Sequence, residues 1–277
     1  MSALLGLVTA PLAHGFMQRG LVIAVFVGAV CALLSCYLVL RGWSLMGDAV
    51  SHAVLPGIVL AYVAGVPIVF GAFGAGLGCA LLTGYLRDHS RLKEDAVMGI
   101  VFSGMFALGL VMFVKVETDQ HLNHILFGNM LGVQWRDVVE AGLIAVPTTL
   151  LVLAKRRDFL LYCFDPAHAR AIGLPVRLLH FGLLSLLALT IVASLKAVGI
   201  ILVIAMLIMP GAIGFLVTKR FGVMLAIAAA SAIGACIIGT ILSFHIDAAT
   251  GPAIVVVQAG IFALALVFTS LAKTLNA

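Results

Sequence analysis

Stretches of about 20 apolar residues follow one another along nearly this whole chain, and that feature restricts what it can become. In hydrocarbon every backbone N–H and C=O must find a partner within the protein, so runs of this length fold as membrane-spanning helices. With breaks taken at charges, Gly and Pro, the spans fall at 18–40, 44–64, 66–86, 95–115, 134–154, 177–195, 197–217, 221–244 and 251–272. Nine is the count. Eight is the alternative, because 44–64 carries ionisable residues and 177–217 has room for a broken or re-entrant element. Composition agrees: 64% of the 277 residues are hydrophobic and 10% charged, with a mean hydropathy of +1.25. The expected fold class is all-α, a polytopic transmembrane helix bundle, organised as one membrane domain over 1–277. The opening MSALLGLVTAPLAHG lacks the basic region of a signal peptide and reads as a short interfacial lead-in.

Charge then sets the expected orientation. Arg41, Arg87, Arg91, Lys93, Lys155, Arg156, Arg157, Arg170, Arg177, Lys219, Arg220 and Lys273 fall at one set of span ends, which is 12 of the 16 basic residues. Arg19, Lys115, Arg136 and Lys196 fall at the other. The positive-inside rule makes the first set cytoplasmic and puts the N-terminus outside. The net charge of +5 is thus mostly a topology signal. No basic stretch is interleaved with aromatics as a nucleic-acid surface would require. Trp43 and Trp135 fall near span ends, where indoles favour the interface. Cys31, Cys36, Cys79, Cys163 and Cys236 are scattered without CxxC spacing and read as small buried hydrophobes.

Against this background the segment GDAVSHAVLPG, 47–57, stands out. Asp48 and His52 are four apart, so a helix brings carboxylate and imidazole to one face, with Ser51 beside them. Counting helical rise from Arg41 places Asp48 about 10 Å and His52 about 16 Å into the membrane. A carboxylate there costs at least about 2.5–3.5 kcal/mol and needs a cavity and a partner such as a cation. Pro56 has no N–H, which frees the His52 carbonyl and marks a helix break. Carboxylate, imidazole, hydroxyl and carbonyl form a hard-to-borderline donor set suited to Mn²⁺, Zn²⁺ or Fe²⁺. Two readings remain open on this chemistry: metal or proton handling, or a hydrogen-bonded pair that stitches helices together.

Weaker candidates lie elsewhere. Met206 and Met209 precede Pro210, a second helix break; packing is their default role, with a soft contact to passing metal the alternative. His245 and Asp247 sit at an external helix end, either a solvated turn or an entrance site. Glu117, Asp119, His121 and His124 occupy an external loop that reads as a docking surface for an outside partner. Gly71, Gly74, Gly76 and Gly78 give small-xxx-small spacing for close helix packing. In KRRDFLLYCFDPAHARAIGLPVR, Asp165 is an N-cap and Pro166 a first helical residue, while Gly173 and Pro175 end the helix. A helix of about two turns, 166–172, therefore lies across the membrane surface. No GxxxxGK[ST], GxSxG or HExxH motif is present, so any ATP is hydrolysed on another chain.

LVLRGWSLMGDAVSHAVLPGIVLAY, EDAVMGIVFSGMFALGLVM, HILFGNMLGV, FDPAHARAIGLPV and ILVIAMLIMPGA occur in that order. Together they resemble the membrane-spanning permeases of bacterial ABC importers for manganese, zinc and iron. The resemblance implies a multi-pass protein of the bacterial cytoplasmic (inner) membrane, a permease homodimer bound to two cytoplasmic ATPase subunits. It also implies an external metal-binding protein, and transport of Mn²⁺, Zn²⁺ or Fe²⁺ without a permanently bound cofactor. The helix at 166–172 becomes the coupling helix, with Asp165, Pro166, Ala169, Ile172 and Gly173 its defining residues. Asp48 and His52 become part of the metal path, manganese being favoured. The competing readings are a proton-coupled secondary metal transporter using the same pair as a relay, and a membrane-embedded hydrolase.

Overall fold

A computed structural model describes residues 10–11, 13–43, 45–115 and 132–275. Nine helical segments among these residues are long and apolar enough to cross a membrane, matching the expected count. The external loop expected to carry Glu117, Asp119, His121 and His124 lies outside the described residues, as do Ser44 and most of HILFGNMLGV.

Helix α1, Gly15–Arg41, ends because Gly42 takes a left-handed conformation (φ 76°). The Gly42 and Trp43 N–H groups then return to the carbonyls of Val39 and Leu38, at 3.2 and 2.8 Å, closing the helix end. The second span is not one helix but two, α2 (Met46–Ala53) and α3 (Leu55–Ala64), which meet at Val54 with Pro56 in the first turn of α3. Proline withdraws a donor, so the expected break is present. The His52 carbonyl it leaves is approached by the Val54 N–H instead of standing open.

Helices α4 (Ile68–His89), α5 (Glu94–Lys115) and α6 (Trp135–Ala154) follow, then the short α7 (Arg156–Phe164) and α8 (Pro166–Ala171). Helix α9, Val176–Val217, contains two spans, with the chain turning at Gly199 (φ 77°, ψ 167°). That backbone state is open to glycine and strained for other residues, so the suspected irregularity in 177–217 is a turn between two spans. Helices α10 (Phe221–His245) and α11 (Thr250–Leu275) complete the bundle.

Burial separates centre from rim. In the most apolar windows of α1 and of the α2–α3 span 67% of residues are buried, against 11% in α11, so the former pair is interior and α11 faces outward. Two backbone contacts permit the tightest packing. Gly57 of α3 lies against the carbonyl of Gly71 in α4, and Gly71 against that of Gly57, so a Cβ on either would collide with backbone. Gly76 packs against Val50 and Val54, whereas Gly74 and Gly78 meet nothing close, so the glycine series is only partly a packing device.

The helix break expected at Pro210 is absent, since α9 stays helical through the proline and leaves helical geometry only at Gly199; what the structure adds there is a partner that spacing did not reveal. The Ser35 hydroxyl of α1 donates to the Ile208 carbonyl (3.1 Å) and accepts from the Gly211 N–H (2.9 Å), taking over hydrogen bonding beside the proline. Trp43 is not an interfacial indole: it is fully buried, edge-on to His180 at 5.4 Å between ring centroids. Trp135 is exposed at the start of α6, as a span-end indole should be. All five cysteines are buried and free, and burial pushes the Cys163 thiol in α7 up to about 12.

Candidate metal site

Of the eight residues of α2, six are buried, and the two left open are Asp48 and His52. Their side chains are 32% and 26% exposed. An otherwise apolar helix thus turns one polar stripe outward. The helical register places His52 Nδ1 3.2 Å from Asp48 Oδ1 and 3.1 Å from the Asp48 carbonyl. With Nδ1 facing two oxygens, the neutral ring carries its proton there, which leaves the Nε2 lone pair open to a metal. This is the arrangement in which a carboxylate orients a metal-binding imidazole. On the other side the ring meets Phe106 of α5 edge-on at 5.2 Å and Phe102 at 6.1 Å. These two phenylalanines, themselves four apart, limit the ring's rotation. Their spacing in VFSGMF is readable as one helix face, although nothing in it names the partner.

Position along the helix differs from the continuous-rise count. Because α1 ends at Arg41 and α2 begins at Met46, Asp48 lies only about 3 Å and His52 about 9 Å from the start of α2. The left-handed cap at Gly42 restarts the count, so the pair sits between the helix start and the break at Val54.

Ser51 is not brought to this opening. It is buried, and its hydroxyl donates to the Gly47 carbonyl of its own helix at 2.6 Å. Met206 is wholly buried in the core and offers no sulfur to a passing ion. His245 and Asp247 are exposed at the end of α10, where Phe244 touches His14 at the start of α1. That is the opposite end of α1 from Arg41, so they are remote from the pair. Among the described residues no group of three or more His, Cys, Asp or Glu could hold a metal ion. The described residues therefore bring together two candidate side-chain ligands, fewer than the four to six that Zn²⁺ or Mn²⁺ takes.

The segment after α6 folds as its residues dictate. Asp165 accepts hydrogen bonds from the N–H groups of Ala167 (3.0 Å) and His168 (2.9 Å), Pro166 opens α8, and Ala169 is buried beneath it. Ile172 follows as the exposed C-cap, and Gly173 (φ 85°) lets the N–H groups of Gly173 and Leu174 close on Arg170 and Ala169. A rigid, capped, six-residue helix between two spans results.

The model of the ABC 3 transport family matches residues 13–269. The chain belongs to that family. This ABC 3 member is 62% identical to the chelated iron transport system membrane protein YfeD of Yersinia pestis, over 97% of this chain and 90% of that one. It is 50% identical to the manganese transport system membrane protein MntB of Synechocystis sp., over 93% of this chain and 84% of the relative. Among solved structures, PsaBC from Streptococcus pneumoniae in complex with Fab is similar with a TM-score of 0.85 at 34% identity, covering 95% of each chain. The family places this chain as the multi-pass membrane component of an ATP-driven transporter. The proton-coupled alternative is thereby left without support.

Proposed function

We propose that this chain, as a single permease domain over 1–277, forms a homodimer that imports a divalent transition metal, with manganese or iron as cargo. The observation that carries the reading is the exposure pattern of α2: every residue is buried except a carboxylate and an imidazole in contact. Relatives named for manganese and chelated iron transport support the choice of cargo, and Zn²⁺ is compatible with the donor set.

In this mechanism the N-terminus is external, and an outside metal-binding protein releases the ion between two copies of the chain. Asp48 and His52 of one or both copies receive it. The divalent ion offsets the carboxylate charge, so loading lowers the cost of holding Asp48 within the bundle. Two cytoplasmic ATPase subunits grip the 166–172 helices. Their closure on ATP moves the spans, and the break at Val54 and the turn at Gly199 are where the helices are already interrupted. Access then passes from one face of the membrane to the other.

The test is radiolabelled manganese uptake in cells carrying the chain with its ATPase and binding protein. Asp48→Ala is expected to abolish uptake while the ATPase still co-purifies. Uptake at unchanged affinity sinks the assignment of the site.

A further inference from the structure

Between the end of α4, the start of α9 and the α7–α8 segment lies a cavity of about 540 Å³. Four arginines line it: Arg41, Arg87, Arg170 and Arg177. None of the described lining residues is acidic. A second hollow shares Arg170, Val176 and Arg177 with it. Four guanidinium groups around one space repel each other, and a cluster of this kind is relieved by an anion.

For Arg41 and Arg87 the surroundings offset part of this charge. Arg41 and Arg87 occupy the last turns of α1 and α4, where the dipole favours a cation. Arg41 also rests on aromatic faces, 5.2 Å from the Tyr162 ring centre and 5.4 Å from that of Trp43. Tyr162 is in turn hydrogen-bonded to His180 Nδ1 at 2.7 Å. Arg177 is placed differently. It sits in the first turn of a long helix, where the dipole opposes a positive charge, and no acidic residue shares that turn. Neither it nor Arg170, exposed on α8, has an ion pair among the described residues.

The rest of the lining identifies the kind of anion. Leu81 lies six residues before Arg87 on α4, and Phe181 four after Arg177 on α9, both exposed. Each is thus about 6–9 Å further along its helix from the arginine end. Guanidinium groups at one level with open apolar side chains deeper on the same two helices match a phosphate head group above its acyl chains. A soluble phosphate would use the first layer and leave the second uncovered.

We propose that this cavity binds the head-group phosphate of an anionic phospholipid of the cytoplasmic leaflet, clamped chiefly by Arg170 and Arg177. Guanidinium forks pair with phosphate in two-point geometry, which lysine does not reproduce. The lipid thereby ties α8 to the ends of α4 and α9. The inference rests on the proposed orientation and coupling role, but its readout is lipid binding and needs no metal transport.

The full chain is purified and placed in phosphatidylcholine nanodiscs doped with phosphatidylglycerol, and retained lipid is measured by native mass spectrometry. Near a membrane surface each basic residue contributes about five-fold, so Arg170→Gln with Arg177→Gln is expected to cut phosphatidylglycerol retention by about 25-fold. The Arg170→Lys, Arg177→Lys pair keeps the charge and guards against misfolding; it is expected to fall between the two. Excess inorganic phosphate is expected not to displace the lipid. Unchanged retention in the Gln pair overturns the proposal. So does full displacement by phosphate, which makes the ligand a soluble anion, or loss of the ATPase with lipid retention intact, which makes the arginines a protein-docking surface.

Discussion

Asp48 and His52 touch, so their contributions to ion binding should not be independent. Consider Asp48→Asn, His52→Gln and the double variant in the reconstituted permease. Removing the group that orients a metal-binding imidazole lowers affinity about 10–100-fold, or about 1.4–2.8 kcal/mol. Loss of the imidazole itself is expected to cost at least as much. Were the two sites separate, the double variant would be weakened by the product, about 10²–10⁴-fold. The 3.2 Å contact between Nδ1 and Oδ1 argues otherwise, because once the ring is gone the carboxylate can still meet the ion but has nothing to orient. Side chains in direct contact carry interaction energies of about 0.5–3 kcal/mol. The double variant is therefore expected to be weakened less than that product, by the about 2–150-fold to which this coupling converts. The assay is equilibrium competition between the permease and a fluorescent chelator for Mn²⁺, at fixed pH. Strict multiplication of the two single effects would refute the coupled pair.

Three further outcomes follow from packing. Ser35→Ala removes the hydroxyl that bridges the Ile208 carbonyl and the Gly211 N–H beside Pro210, and is expected to lower stability by about 0.5–1.5 kcal/mol in a detergent unfolding series; a change below measurement error would show that the helix at the proline needs no bridge. Gly57→Ala or Gly71→Ala forces a methyl into the opposing backbone, so α3 and α4 must separate, at a cost of about 1–3 kcal/mol, whereas Gly74→Ala, facing open space, is expected to be neutral in the same melting assay. Cys163, held protonated by burial to about 12, is expected to resist maleimide at pH 8 in the folded chain and react only after unfolding. Its thiol favours the folded state while neutral. That contribution is present below the unfolded thiol value near 9 and fades as pH rises toward 12. Rapid labelling of the native protein at Cys163 would contradict the burial.

Helix content, the number of spans and their approximate limits could be read from the chain because in hydrocarbon the backbone must satisfy itself locally, and apolar length measures membrane thickness directly. The helix at 166–172 was equally readable. Asp165, Pro166 and Gly173 act within one turn of themselves, and the observed caps use those residues. The pairing of Asp48 with His52 belongs to the same class, since four-residue spacing on a helix guarantees their neighbourhood.

What long-range packing decided is of another kind. That Met206 is sealed in the core, and that Trp43 is buried against His180, depend on which helices neighbour them. Ser35 meeting Pro210, and four arginines from distant parts of the chain surrounding one cavity, depend on it too. Nearly every face of such a chain is apolar, so hydropathy carries little information on which side of a helix looks inward. Contacts between residues 170 or more apart are set by shape complementarity among helices, a property of the assembled bundle that no local stretch encodes.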